Sequence, residues 1–166
     1  MPTVVGVVVV SALALGGCSA AEDISEGLDP SDSKEHQVAS GAEGKEAELL
    51  ADWVPDDASD VYIMQRTTGS ERLLTFEYSG DVPEECLPIE TTGDPTEEAL
   101  EEAYATDART ADDAVDTWST VPTLEADWWP EGQEAQTTHL CGRWWVSQDG
   151  GTFYGFGAES GWGSTS

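Results

Sequence analysis

The stretch Val61–Ser79, VYIMQRTTGSERLLTFEYS, constrains the fold more than any other part of the chain. Two runs rich in β-branched, aromatic and long apolar side chains flank Gly69-Ser70. Alternation at period two marks a strand with one covered face, and a glycine at the first central position suits a two-residue type II′ turn. That turn sets Ile63 opposite Phe76 and Val61 opposite Tyr78. One face then carries Val61, Ile63, Gln65, Leu74, Phe76 and Tyr78. The other carries Tyr62, Met64, Arg66, Leu73, Thr75 and Glu77, a mixed set.

A second hairpin is read near the end. THLCGRWWVS (Thr138–Ser147) is taken as one strand and TFYGFG (Thr152–Gly157) as its partner, with QDGG between them. Asp-Gly and Gly-Gly both suit the turn, and both leave the same partition. Cys141, Arg143, Trp145, Tyr154 and Phe156 fall on one side, and Leu140, Trp144, Val146 and Phe153 on the other. Trp144 and Trp145 therefore point in opposite directions. Either both sheet faces are covered, or one of the two indoles faces solvent or a ligand.

Between the hairpins the pattern reads as helical. DVPEECLP predicts a short helix with Pro83 in its first turn. TTGDPTEEALEEAYA predicts a helix with Asp94 as N-cap, Pro95 at the first position, acids in the first turn, and Leu100 and Tyr104 on one stripe. TADDAVDTW predicts a further turn with Ala111, Val115 and Trp118 inward, and Trp53 is placed over the sheet. The fold class expected is α+β: one small domain of two antiparallel β-hairpins and short helices over residues 49–166.

The chain begins differently. Residues 1–17 carry no charged side chain, and Val4–Leu15 is a twelve-residue apolar segment, the length of a secretory signal core and short for a membrane span. The segment ends in Leu15-Gly16-Gly17-Cys18, which resembles the lipobox of bacterial lipoproteins. The resemblance implies cleavage of a signal peptide over residues 1–17 and acylation of Cys18, palmitate-type chains included. Each buried methylene contributes roughly 0.8 kcal/mol, so two or three chains give a lasting membrane anchor. The expected address is the extracytoplasmic face of the cell membrane. Residues 18–48, acidic and free of aromatics, are read as a disordered tether.

Three cysteines are present. With Cys18 acylated, Cys86 and Cys141 remain as an even pair outside the cytoplasm. One disulfide is the simplest reading, and two buried thiols are the rival.

Charge excludes partners. The chain has 34 acidic and 6 basic residues, a formal net of −28, so nucleic acid is not an expected partner. No GxSxG or HExxH occurs, and the glycine-rich tail lacks the spacing of a nucleotide loop. No cofactor or metal is expected, and the acidic loop Asp56–Asp60 is read as a solvated turn. His139 is read as an edge histidine. All seven tryptophans lie beyond residue 50. Trp128, Trp129, Trp144 and Trp145 are the candidate binding surface, because indole faces stack on sugar rings and anchor protein partners.

The segments ADWVPDDASDV, the first hairpin and CGRWWVSQDG with YGFG resemble small actinobacterial lipoproteins, a likeness that implies a cell-envelope address and no activity. The function expected is a non-enzymatic, lipid-anchored interaction module binding an envelope protein or cell-wall glycan. The alternative is a glycan-directed envelope hydrolase using carboxylates.

Overall fold

A computed structural model of the chain describes residues 32–159. The expected signal segment, Cys18, the first part of the tether and the tail with Trp162 lie outside the described residues.

Seven strands form one sheet: β1 (Ser33–Ser40), β2 (Ser59–Arg66), β3 (Arg72–Glu77), β4 (Leu87–Pro88), β5 (His139–Cys141), β6 (Trp144–Asp149) and β7 (Thr152–Gly157). Their order is β1-β2-β3-β7-β6-β5-β4, with every neighbouring pair antiparallel. Among the described residues, two α-helices accompany them, α1 (Gly41–Glu46) and α2 (Glu97–Tyr104), with 3₁₀ turns at Val115–Thr117 and Gln133–Gln136. The domain is thus more sheet-rich than the α+β expectation.

Much of the expected tether is folded. Residues 33–46 form β1 and α1. Lone polar strands are unstable, but β1 lies on the edge of β2 with His36 opposite Ile63 and Val38 opposite Val61. Its stability comes from that ladder and needs only Val38 as a buried apolar side chain. Ser40 caps α1 by accepting the Glu43 N–H, and the Glu43 carboxylate accepts the Ala39 N–H, a variant of the capping box. Gly41 and Gly44 read as flexibility in the sequence, yet both are close-approach positions. A Cβ on Gly41 would sit 1.8 Å from the Pro55 carbonyl oxygen, and one on Gly44 would sit 2.4 Å from Leu50.

The first hairpin keeps its predicted faces but not its register. Ile63 lies opposite Leu74, two residues from the expected partner, and the turn is longer. The cause is distant in sequence. Glu159 accepts the amides of Ser70 and Glu71, so the Glu71 N–H has left the ladder that a two-residue turn requires. A slip of two residues preserves the face partition.

The second hairpin turns at Gly150-Gly151, with Asp149 opposite Thr152 and Gly150 at φ 61°. The expected strand Thr138–Ser147 is instead two strands. Gly142, at φ 59°, turns the chain so that Cys141 faces Trp144 and Leu140 faces Trp145. Leu140 and Cys141 consequently exchange the sides expected for them.

The helical expectations are corrected in three places. Residues 81–88 form no helix, because Cys86 is bonded to Cys141 and Leu87–Pro88 pair with Leu140 and His139. The N-cap of α2 is Thr96, whose hydroxyl accepts the Ala99 N–H, rather than Asp94. Ala111 is exposed, while Trp118 is buried as expected.

Both sheet faces are covered. On the first, Trp53 packs against Phe76 and Trp144, and Phe76 stacks on Phe153 at 4.9 Å; Val54, Ile63, Leu74 and Val146 complete an apolar core around the disulfide. On the second, α2 and residues 105–129 bury Leu73, Leu124, Leu140, Trp145 and Phe156.

Candidate functional site

Trp144 and Trp145 do point in opposite directions, and each is buried, one in each core. The Trp145 indole N–H donates to the Tyr104 hydroxyl at 3.0 Å. The two therefore form no exposed aromatic platform, and that part of the expected binding surface is corrected; of the pair, only Trp144 reaches the wall of the groove described below. Covering both faces removes the platform. Trp128 and Trp129 are half-buried. Trp128 donates to Glu35 at 2.9 Å and leans on Tyr62, and Trp129 meets Tyr154 edge-on. These two close the second face more than they project from it.

His139 lies on β5 opposite Val146, with Nδ1 2.9 Å from the Thr138 hydroxyl. Burial pushes its pKa below the ordinary value. It does not line the groove described next. Among the described residues, no group of three or more His, Cys, Asp or Glu side chains is placed to hold a metal ion.

The groove that does stand out is one the sequence did not suggest. It encloses about 610 Å³ beside the β5–β6 turn. Three arginines line it: Arg72 at the start of β3, Arg109 in the loop after α2, and Arg143 in the turn itself. Their exposure grades from buried Arg143 through half-buried Arg72 to exposed Arg109.

Arg143 is positioned by a small set of contacts. Its Nη1 donates to the Ala158 carbonyl, and its guanidinium lies over the Trp144 ring at 5.4 Å from the centroid. Gly157 leaves room for it, since a Cβ there would sit 3.3 Å from Nη1. Its nearest carboxylate is Asp107, at 3.8 Å, a loose pair. Arg72 donates to backbone carbonyls, with the Glu71 oxygen at 2.9 Å. Among the described residues, neither Arg72 nor Arg109 has a carboxylate within ion-pair distance.

Electrostatics follow from this placement. Burial pushes the Arg143 pKa down to about 10; Asp107 and Glu159 oppose the shift, and the charges of Arg109 and Arg72 add to it. Arg72 is likewise lowered, first by burial and then by Arg109, against Glu159. Both stay protonated at neutral pH. The three guanidiniums repel one another, and an anion seated among them would relieve that repulsion.

The remaining walls are apolar and acidic. Leu49, Leu50, Trp53 and Trp144 supply carbon surface. The Trp53 indole N–H is buried and finds no acceptor among the described residues. Glu48, Asp52 and Glu85, all exposed, line the groove from the segments that cover the first face, and Asp107 lines it from the loop after α2. Cys141 reaches the wall, so the bond to Cys86 anchors one edge. No composition signal marks this site. Arg72, Arg109 and Arg143 are far apart in the chain, and only the sheet brings them together.

No protein-family model, curated protein or solved structure matches this chain.

Proposed function

We propose that this protein is a non-enzymatic binding module of the cell envelope, anchored through a lipidated Cys18 at the extracytoplasmic face, and that the arginine groove receives an anionic group of its partner. One observation carries the reading. A chain with 34 acids and 6 bases places three of those bases in a single groove, two of them without a carboxylate within ion-pair distance among the described residues. Guanidiniums bind planar anions through paired N–H donors, and partly buried ones do so most strongly. The groove's chemistry is that of recognition. Its innermost charged side chain is an arginine, which stays protonated and moves no proton near neutral pH.

Two measurements test the proposal. In cell fractionation, the wild type stays with membranes and Cys18→Ala leaves them; retention of the variant sinks the anchor. In thermal melts at constant ionic strength, acetate or sulfate replacing chloride raises the midpoint of the wild type. The gain shrinks in Arg109→Gln, whose exposed side chain makes the substitution tolerable. Equal midpoints in all three salts sink the groove.

A further inference from the structure

Resting on the reading that the groove takes anions, we infer that its ligand is a zwitterion of the short-peptide class, with its carboxylate on the arginines and its ammonium on Glu48, Asp52 and Glu85. The lining carries both signs. Arg72, Arg109 and Arg143 come from the end of the sheet and the loop after α2, with Asp107 of that loop beside Arg143, whereas Glu48, Asp52 and Glu85 come from the segments covering the first face. A lone inorganic anion would leave most of about 610 Å³ unfilled. Pockets for organic ligands run from about 300 to 1,000 Å³. The apolar wall of Leu49, Leu50, Trp53 and Trp144 suits a carbon framework.

Net charge points the same way. A polyanion would approach a chain of formal charge −28 against its field. A zwitterion carries no such cost, and its ammonium pairs with exposed acids that would repel a simple carboxylate. The carboxylate lies deeper because Arg143 is buried and the acids are not.

The experiment is a calorimetric titration of the full-length protein with four probes: trialanine with both ends free, N-acetyl-trialanine, trialanine amide and acetate. Free trialanine binds at least about tenfold more tightly than the acetylated peptide, one charge pair being of that order. The amide shows no measurable binding. The Asp52→Asn/Glu85→Gln variant loses the tenfold advantage and binds the acetylated peptide unchanged, while Arg109→Gln weakens both peptides. If acetate or N-acetyl-trialanine binds as tightly as the free peptide, the zwitterion inference fails and the anion reading stands. If neither acetate nor any peptide binds, both fail. Tight binding of the amide would also overturn both, since the arginines would then have no part.

Discussion

The two faces of the sheet are built on different chemistry. The first is sealed by aromatic stacking, two close-approach glycines and the Cys86–Cys141 bridge. The second buries polar groups within its apolar packing. Glu71 is 1% exposed, yet it accepts Arg66 at 2.8 Å, the Thr123 hydroxyl at 2.7 Å and the Leu124 amide at 3.1 Å. Trp145 bonds to Tyr104, whose phenol is raised first by burial, against the Trp145 bond and the Arg143 charge, and so stays neutral. Apolar packing tolerates small shifts of position. A buried carboxylate with five donors fixes one geometry for the loop it holds. The groove lies where these two styles of cover meet: acids from one, Arg109 and Asp107 from the other.

Removing the bridge breaks the first face with the largest expected effect. The cysteines are 55 residues apart, and closing such a loop stabilises a chain by about 4 kcal/mol on the entropy account. The Cys86→Ala/Cys141→Ala protein should lose about that much in urea unfolding. A loss under about 1 kcal/mol would mean the aromatic packing alone seals this face.

Next is the second face. Glu71→Gln preserves shape but replaces one acceptor oxygen with a donor, facing either the amides of Thr123 and Leu124 or the Arg66 guanidinium, and removes the negative charge that Arg66 meets at this position. A cost of about 3 kcal/mol is expected, since the donors left behind lose a charged acceptor. A near-neutral outcome would show the loop at Thr123 held by Leu124 packing, and the contrast between faces would dissolve.

The smallest effect sharpens the contrast through pH. Burial raises the Glu159 pKa, but the Ser70 and Glu71 amides, the Ser70 hydroxyl and the Arg66 charge outweigh it, so the folded value lies below the ordinary 4.5. A depressed carboxylate stabilises the fold above its unfolded pKa, and that contribution fades as pH falls through the folded value. Glu159→Gln should cost about 1 kcal/mol at pH 7, a modest figure because the group is partly exposed. The difference from wild type should vanish well below pH 4.5. A difference independent of pH would show that the carboxylate's charge has no part in holding the turn.

Legibility followed the range of the forces involved. A tight turn within QDGG was readable because strand twist and a glycine in the left-handed region are local properties; the pairing of Asp149 with Thr152 is what selects Gly150-Gly151 over Asp149-Gly150. The first hairpin's faces were readable, and its register was not, since Glu159 arrives from the far end of the chain. Ser40-x-x-Glu43 carried a readable cap signal for α1, but the missing apolar period around it pointed to a tether. The arginines gave no signal at all, being three isolated cations in an acidic chain.

By itself, then, the amino-acid order determined the alternation that makes strands, the cysteine pair able to bridge, the opposed directions of Trp144 and Trp145, and a charge that repels polyanions. These depend on covalent geometry and on composition. Tertiary structure alone decided that both indoles are buried, that residues 33–40 join the sheet, and that Arg72, Arg109 and Arg143 share one groove. Each of those outcomes depends on which distant segment covers which face, and no short window of sequence contains that information.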